Sequence, residues 1–439
     1  MHKQMRRHLG RRSIGACALL AGMAAIGTAP LAQQSAVPIR ELERPSAVSS
    51  EPLGLHLGLK ELGNGRVLFN DAGTRRLLLL DSTLRIIANL ADSASGESFT
   101  YGENYRQLVS YVGDTTLLTD YASRGFLVLD ASGHVARIAA LPKSSDYLKI
   151  FAARVLADAA GTLYYRGSYQ LRRVAPPIVP GTYVLRAVDS APVVRASFEA
   201  RRVDTLSAVR LPVTQTSYRT VRPDGSTQNR TTINPVAWSD DWTITSDGVV
   251  AIVRGRDYHV DWVMPDGSHR SSPKLPFDWR RITDDEKRAL ADSACKAEEK
   301  VLSDLRVRDS MRARSRSGVA GPSYLIRPDP VSGTMVTINS DDKLEGAPLD
   351  EIPDYWPPIR AGAVQADLDG NVWILPNTVT QGLSAGLIYD VVNPKGQLLE
   401  RVRLSKDRSI AGFGRNGAIY VVWRDTSRTW HLEKTRVGR

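Results

Sequence analysis

Six glycines constrain what this chain can fold into more than any other feature. Gly65, Gly113, Gly161, Gly248, Gly370 and Gly417 each sit in a short polar turn between runs rich in Val, Ile, Leu, Tyr or Trp. The steps between them are 48, 48, 87, 122 and 47 residues, so three agree within one residue and two carry insertions. Runs of this kind, bounded by Gly, Asp or Asn, read as short strands joined by hairpin turns. A second repeat lies over the first. Asp71, Arg75 and Asp81 in FNDAGTRRLLLLD return as Asp120, Arg124 and Asp130 in LTDYASRGFLVLD, each 49 residues later.

A meander of four short strands, here a to d, repeated at this interval is the pattern of a β-propeller blade. Six glycines predict an all-β, six-bladed β-propeller of four-stranded antiparallel blades. A seventh blade inside the 87-residue step is the alternative. The last unit supplies three strands, SIAGFGR, AIYVVWRD and TWHLEKTRV. The segment AVPIREL at 36–42 is therefore expected to pair into that blade and close the ring, leaving no open sheet edge. The 49-residue spacing is then one blade length, with Asp81 and Asp130 in c–d turns and the Asp71–Arg75 and Asp120–Arg124 segments in b–c turns.

Residues 1–32 read as a signal peptide: MHKQMRRHLGRR is basic and free of acids, and a weak apolar run of small residues leads to Ala32. Sec export is the ordinary reading, and Arg11-Arg12 before Ser13-Ile14 also fits twin-arginine export. Without that leader, 53 Lys and Arg stand against 47 Asp and Glu, a net charge of +6 that argues against a dedicated nucleic-acid binder. Only Cys295 remains, so neither an intramolecular disulfide nor a thiolate cluster can form. No later apolar run is long enough to span a bilayer. The expectation is a single propeller domain over 33–439, monomeric, secreted or periplasmic.

Two segments break the repeat. Residues 167–236 lengthen the third unit with a Pro-rich loop, APPIVPG, a strand pair within APVVRASFEARRVDTL, and a hairpin at Asp224-Gly225. The second break, 281–345, contains a convincing helix over 283–316. Thr283 and Glu286 make a capping box. Leu290, Ala294, Ala297, Val301 and Leu305 make the predicted apolar stripe. As a d–a connection, this insert should share one end of the ring with the b–c turns and pack on or over it, as a lid at the channel mouth. Loops on a rigid scaffold are where binding is expected.

DWTITSDGVVAIVRGRDYHVDWVMPDG and ADLDGNVWILP resemble secreted bacterial six-bladed β-propellers of the NHL/TolB-like group. The resemblance covers most of the mature chain and implies fold far more than activity, because such propellers include binding modules, lyases and lactonases.

The candidate ligand-binding residues are Asp71, Arg75, Asp120, Arg124, Arg254, Asp257, His259 and Asp261. Six residues after the turn glycines stand Asp71, Gly167, Arg254, Pro376 and Trp423, a chemically mixed rim, as a ligand-facing surface would be. The plainer reading of each Asp/Arg pair is a turn tightened by a local ion pair. In RGRDYHVDW, His259 and Asp261 share a strand face and could serve as a base and its orienting carboxylate, as two metal ligands, or as a half-exposed strand face. DLDGN at 367–371 reads as a turn, since the acidic end of a calcium loop is missing. No metal site and no cofactor is predicted, and no phosphate loop or nucleophile elbow is present. The leading expectation is a binding module on the insert-bearing face, for a protein, peptide or glycan of the cell envelope. The alternative is a lactonase-like hydrolase or lyase with a divalent metal such as calcium at the channel mouth.

Overall fold

The computed structural model describes residues 37–438 except 93–98, 103–105, 147–149, 151–153, 168–170, 175–180, 188, 316–323, 329–334 and 379–385. The leader expected at 1–32 and nearly all of the Pro-rich loop lie outside the described residues.

Two short strands come first, β1 (Ile39–Glu41) and β2 (Ala47–Val48). Sheet I follows as β3 (His56–Glu61), β4 (Val67–Asp71), β5 (Arg76–Leu80) and β6 (Ile86–Ala91). Sheet II is β7 (Leu108–Ser110), β8 (Thr116–Asp120), β9 (Gly125–Leu129) and β10 (Val135–Ala140). Sheet III begins with β11 (Val155–Ala157) and β12 (Leu163–Arg166). It is interrupted by the hairpin β13 (Leu171–Val174) and β14 (Thr182–Ala187), and ends with β15 (Ser190–Ser197) and β16 (Arg202–Arg210). A second hairpin, β17 (Gln215–Val221) and β18 (Thr227–Ile233), leads to sheet IV: β19 (Asp241–Ile244), β20 (Val250–Arg254), β21 (His259–Val263) and β22 (His269–Ser271). Then come the helix α1 (Asp284–Ser315), the hairpin β23 (Tyr324–Pro328) and β24 (Met335–Asn339), and β25 (Lys343–Gly346). Sheet V is β26 (Val364–Ala366), β27 (Val372–Ile374), β28 (Leu387–Val392) and β29 (Leu398–Leu404). Sheet VI is β30 (Arg408–Phe413), β31 (Ile419–Arg424) and β32 (Trp430–Thr435), with β2 on its outer edge.

Strand side chains alternate between faces, and here both faces are buried, which is why these strands read as continuous apolar runs. Val67 and Phe69 of β4 pack with Tyr420, Val422 and Leu432 of sheet VI, whereas Leu68 between them packs with Leu118 and Leu127 of sheet II. The same hand-over joins sheet II to III, III to IV, IV to V and V to VI. Each of these sheets thus lies face to face with the next, and the last with the first, which is β-propeller packing. A buried Leu, Ile, Val or Phe contributes about 1.5–3 kcal/mol, so these inter-sheet cores dominate the stability.

The closure differs from the sequence expectation. Ile39–Glu41, inside the expected AVPIREL strand, runs parallel to β29 of sheet V, with Ile39 opposite Arg401. Leu42, the last residue of that segment, does bridge antiparallel to Val437 just past β32, and the last blade is completed by β2, antiparallel to β32, with Ala47 opposite Lys434. The parallel strand is possible because β29 still has a free edge, and Arg40 to Glu400 and Arg403 to Glu41 ion pairs reinforce the seam.

The two breaks in the repeat also differ from their reading. The pair at 190–210 is not insertion but the outer pair of sheet III. The inserted hairpins join each other through β14 and β17, and β25 from the second break adds in parallel to β18. Segments about 110 residues apart therefore form one five-stranded sheet, β13-β14-β17-β18-β25. The Asp224-Gly225 turn joins β17 to β18 as expected, with Gly225 at φ +81 and the Asp224 carboxylate accepting from Ser226 N–H.

Helix α1 begins with the expected box: Thr283 N–H donates to Glu286 at 2.9 Å, and Glu286 N–H to Thr283 Oγ1 at 3.3 Å. Its buried face is turned by about one residue from the stripe read in the sequence. Lys287, Ala291, Leu302 and Leu305 are buried, and Ala297 is exposed. The substituted register exists because Ala291 packs with Val236, Ile282, Ala347 and Ile352, and Leu302 and Leu305 pack against Leu344 of β25. Alanine carries little apolar signal, so a stripe built partly on Ala was a weak guide to the docked face.

Candidate functional site

The b–c turns and the connections into each first strand lie at one end of the ring, and the predicted residues fall there in two groups. In sheet I, the Asp71 carboxylate is fully buried and accepts from Gly54 N–H at 3.0 Å, Thr74 N–H at 3.1 Å and Arg76 Nη2 at 3.0 Å. The ion pair is with Arg76, not with Arg75 as expected from the sequence. In sheet II, Asp120, 6% exposed, accepts from Ser123 N–H and from Arg106 Nη1, each at 2.9 Å. Burial would raise the Asp120 pKa, but the Ser123 and Arg106 bonds hold it below the usual carboxylate range. Both aspartates tie a b–c turn to the chain entering the first strand of the same sheet.

The recurrence of Arg75 and Arg124 has a backbone origin. Both occupy the left-handed region, φ +55 and +51, and Tyr258 holds the equivalent place in sheet IV at +51. The turn requires one residue of positive φ four positions after the end of strand b, and these blades place a non-glycine there.

Sheet IV carries the second group. Arg254 donates to Asp261 at 2.7 Å, Asp240 at 2.8 Å and the Ala208 carbonyl at 2.8 Å. His259 lies between two carboxylates, Nδ1 2.8 Å from Asp257 and Nε2 3.1 Å from Asp261. His259 and Asp261 do share a strand face, as their spacing predicts. Asp261 also accepts from Ser271 Oγ at 2.6 Å, and Lys274 Nζ approaches Asp257 at 3.9 Å. This network runs along the rim and ends in a cleft.

The cleft has a volume of about 1040 Å³ and lies between sheet IV and the insert. Arg256 and Asp257 of the β20–β21 turn, with Lys274 after β22, form one wall. Asp284 and Lys287 of α1 with Asp350 and Asp354 form the other. Trp238, Trp279 and Tyr355 line it, and the last two are 37% and 42% exposed. Trp279 is the hub of an aromatic run, edge-on to Tyr355 at 6.4 Å and to Phe277 at 5.1 Å, and 6.2 Å from Trp238. Phe277 in turn stacks edge-on against Tyr258 at 5.4 Å, whose hydroxyl donates to Asp390 at 2.7 Å, so the exposed rings are braced by the IV–V core. The chains entering and leaving the insert run side by side here: Ile282 N–H donates to the Asp354 carbonyl at 2.8 Å and Trp356 N–H to that of Arg280 at 3.0 Å. Lys287, almost wholly buried, reaches Asp354 at 2.7 Å.

This aromatic set falls outside the candidate residues legible in the sequence. Its signal was present in FDWRR and DYWPP, which flank the insert at 277–281 and 354–358. The first turn of α1 faces the β20–β21 turn across the cleft, while the rest of the helix docks on β25 and β18, and Asp257 is the predicted residue that lines the cleft.

Nearer the axis, Arg154 donates to the carbonyls of Trp242 and Val364 at 3.2 and 2.6 Å, and Asp241 accepts from Val364 N–H at 2.9 Å. Burial pushes the Asp241 pKa up to about 6, against the opposing pull of Arg154. These groups join the first strands of sheets III, IV and V. Asp367 folds onto its own turn, accepting from Asp369, Asn371 and Trp373, as expected of a turn. Among the described residues, no group of three or more His, Cys, Asp or Glu is arranged to hold a metal ion.

No family model and no curated protein sequence matches this chain. Among solved structures it is similar to a gluconolactonase from Xanthomonas campestris, at 10% identity over 88% of this chain and 87% of that one, with a TM-score of 0.37. It is similar to a member of the DUF4221 family from Bacteroides vulgatus at 8% identity, 91% and 99% coverage and a TM-score of 0.39. A virginiamycin B lyase from Staphylococcus aureus matches at 9% identity, 88% and 98% coverage and a TM-score of 0.36. At such scores none of these likenesses assigns an activity here.

Proposed function

We propose that this chain is an exported, six-bladed β-propeller of NHL/TolB-like type that acts as a binding module. Its site is the cleft between sheet IV and the helical insert, and its partner is a component of the cell envelope. The observation that carries this reading is the pair of exposed, braced rings, Trp279 and Tyr355, in a cleft of about 1040 Å³. Large aromatic faces left open beside charged groups are costly to solvate and are characteristic of recognition surfaces. The charged network of Arg254, Asp261, His259 and Asp257 runs into the wall formed by Arg256, Asp257 and Lys274. In the mature protein, no helix among the described residues is long and apolar enough to cross a membrane.

The test is a change in tryptophan fluorescence on titration with envelope extracts separated into peptide, protein and glycan fractions. One fraction should quench the wild-type signal saturably and leave Trp279→Ala and Tyr355→Ala at least tenfold weaker. Equal binding by both variants would sink the cleft as the site. The lactonase-like alternative calls for carboxylate or imidazole groups converging at the axis. Arg154 and Asp241 there are engaged with backbone groups of neighbouring sheets, and the binding reading rests on the cleft.

A further inference from the structure

The two walls of the cleft carry opposite net charge, Arg256 and Lys274 outnumbering Asp257 on one and Asp284, Asp350 and Asp354 outnumbering Lys287 on the other, and several of those charges lack a partner. Arg256 is exposed and has no ion pair among the described residues, and Lys274 has only the 3.9 Å approach to Asp257. Both belong to sheet IV and its exit. On the insert side, Asp284 and Asp350 are exposed and likewise unpaired among the described residues, while Asp354 is held by Lys287. The exposed faces of Trp279 and Tyr355 line the space between these walls.

Resting on the binding reading above, we infer that the cleft takes a short peptide or peptide-like chain that carries both charges. An anionic end would lie against Arg256 and Lys274, a cationic end against Asp284 and Asp350, and an aliphatic or aromatic side chain on Trp279 and Tyr355. Charge complementarity favours this occupant over the others. A neutral glycan could stack on the rings but would desolvate four charged groups without answering them. A polyanion would gain from one wall and be repelled by the other. A dipolar chain satisfies both, and each charge-assisted bond is short and directional.

The probe is a pool of tripeptides with a central aromatic residue, titrated into the full mature protein by calorimetry. It is used with both termini free, with the amine acetylated, or with the carboxylate amidated, beside a neutral trisaccharide. The doubly free pool should bind best, and each block should weaken binding about tenfold. The Arg256→Gln/Lys274→Gln double variant should abolish the penalty of amidation and leave that of acetylation. Asp284→Asn/Asp350→Asn should do the converse. These side chains are exposed, so unchanged circular dichroism and unfolding midpoints check that both variants fold. Peptide binding indifferent to blocking and to both variants would overturn the dipolar assignment while leaving the cleft as a site. Trisaccharide binding alone, lost in Trp279→Ala, would do the same. Binding of none of these probes, together with failure of the envelope titration, would remove the cleft reading itself.

Discussion

Asp71 and Asp120 stand at the same place in consecutive blades, yet truncating them should cost different amounts. Asp71→Ala leaves the Gly54 and Thr74 amides without their acceptor. An unsatisfied buried amide costs about 1–3 kcal/mol; Gly54 is half-buried and Thr74 is exposed and open to water, so the lower end applies here. The ionic partner of Asp71, Arg76, is 31% exposed and can turn to water, so that loss is small, and about 1 kcal/mol is expected in all. Asp120→Ala strands Arg106, whose side chain is only 10% exposed. Orphaning a buried charge costs about 3–5 kcal/mol. The bonds from Arg106 to the carbonyls of Tyr101 and Thr119 remain, which places the expected value near the lower end. The assay is urea unfolding followed by tryptophan fluorescence, comparing midpoints at constant slope. Asp120→Ala should unfold at clearly lower urea than Asp71→Ala, with Asn at either position milder than Ala because the turn amide keeps its acceptor. Equal midpoints for the two Ala variants, or the reverse order, would refute the argument that the partner's burial decides the cost. Neither variant should alter ligand affinity, since both aspartates lie in sheets I and II, away from the cleft.

Other expectations concern titration, the insert and closure. Asp241 has its folded-state pKa raised from 3.8 to about 6, so the stability it contributes is present below 3.8 and lost as pH rises through about 6. Between pH 4 and 7, the wild type should therefore lose stability relative to Asp241→Asn, whose own offset from the unpaired Arg154 is constant; a flat difference would refute this. His56 is pulled below 6.5 by burial, so its contribution is present above 6.5 and lost on acidification through its lower folded pKa, and His56→Gln should blunt that loss. Thr283→Ala should cost about 1 kcal/mol and speed amide exchange in the first turn of α1 while sparing exchange in the ring. Deleting residues 37–48 removes β1 and β2 and should expose the edges of β29 and β32, seen as a lower unfolding midpoint and self-association on sizing columns.

The ring was largely legible in the sequence because hairpin turns are local. Gly65, Gly161 and Gly370 have positive φ that only their own turn demands, and the c–d turns at Asp81 and Asp130 form as read, each aspartate capping its own loop. Non-local pairing was less legible. Nothing in Lys343–Gly346 announces Arg230–Ile233 as its neighbour, and the parallel choice of Ile39–Glu41 for β29 depends on which edge the ring leaves open. At the site, the charged string at 254–261 was visible because it is contiguous. The aromatic set was not, because Trp238, Trp279 and Tyr355 come from three separate segments and meet only after the insert folds back.

That folding back bears on how a ligand could enter. The insert is not a flap on one hinge. It is held where residues 280–282 run beside 354–356, and its sheet also contains hairpins that leave and rejoin the chain around sheet III. A body moored at several points on neighbouring blades resists swinging as a lid. The mouth of the cleft should therefore keep one width whether empty or filled. Recognition would then resemble a key entering a fixed lock, with association limited by encounter and selectivity set by fit.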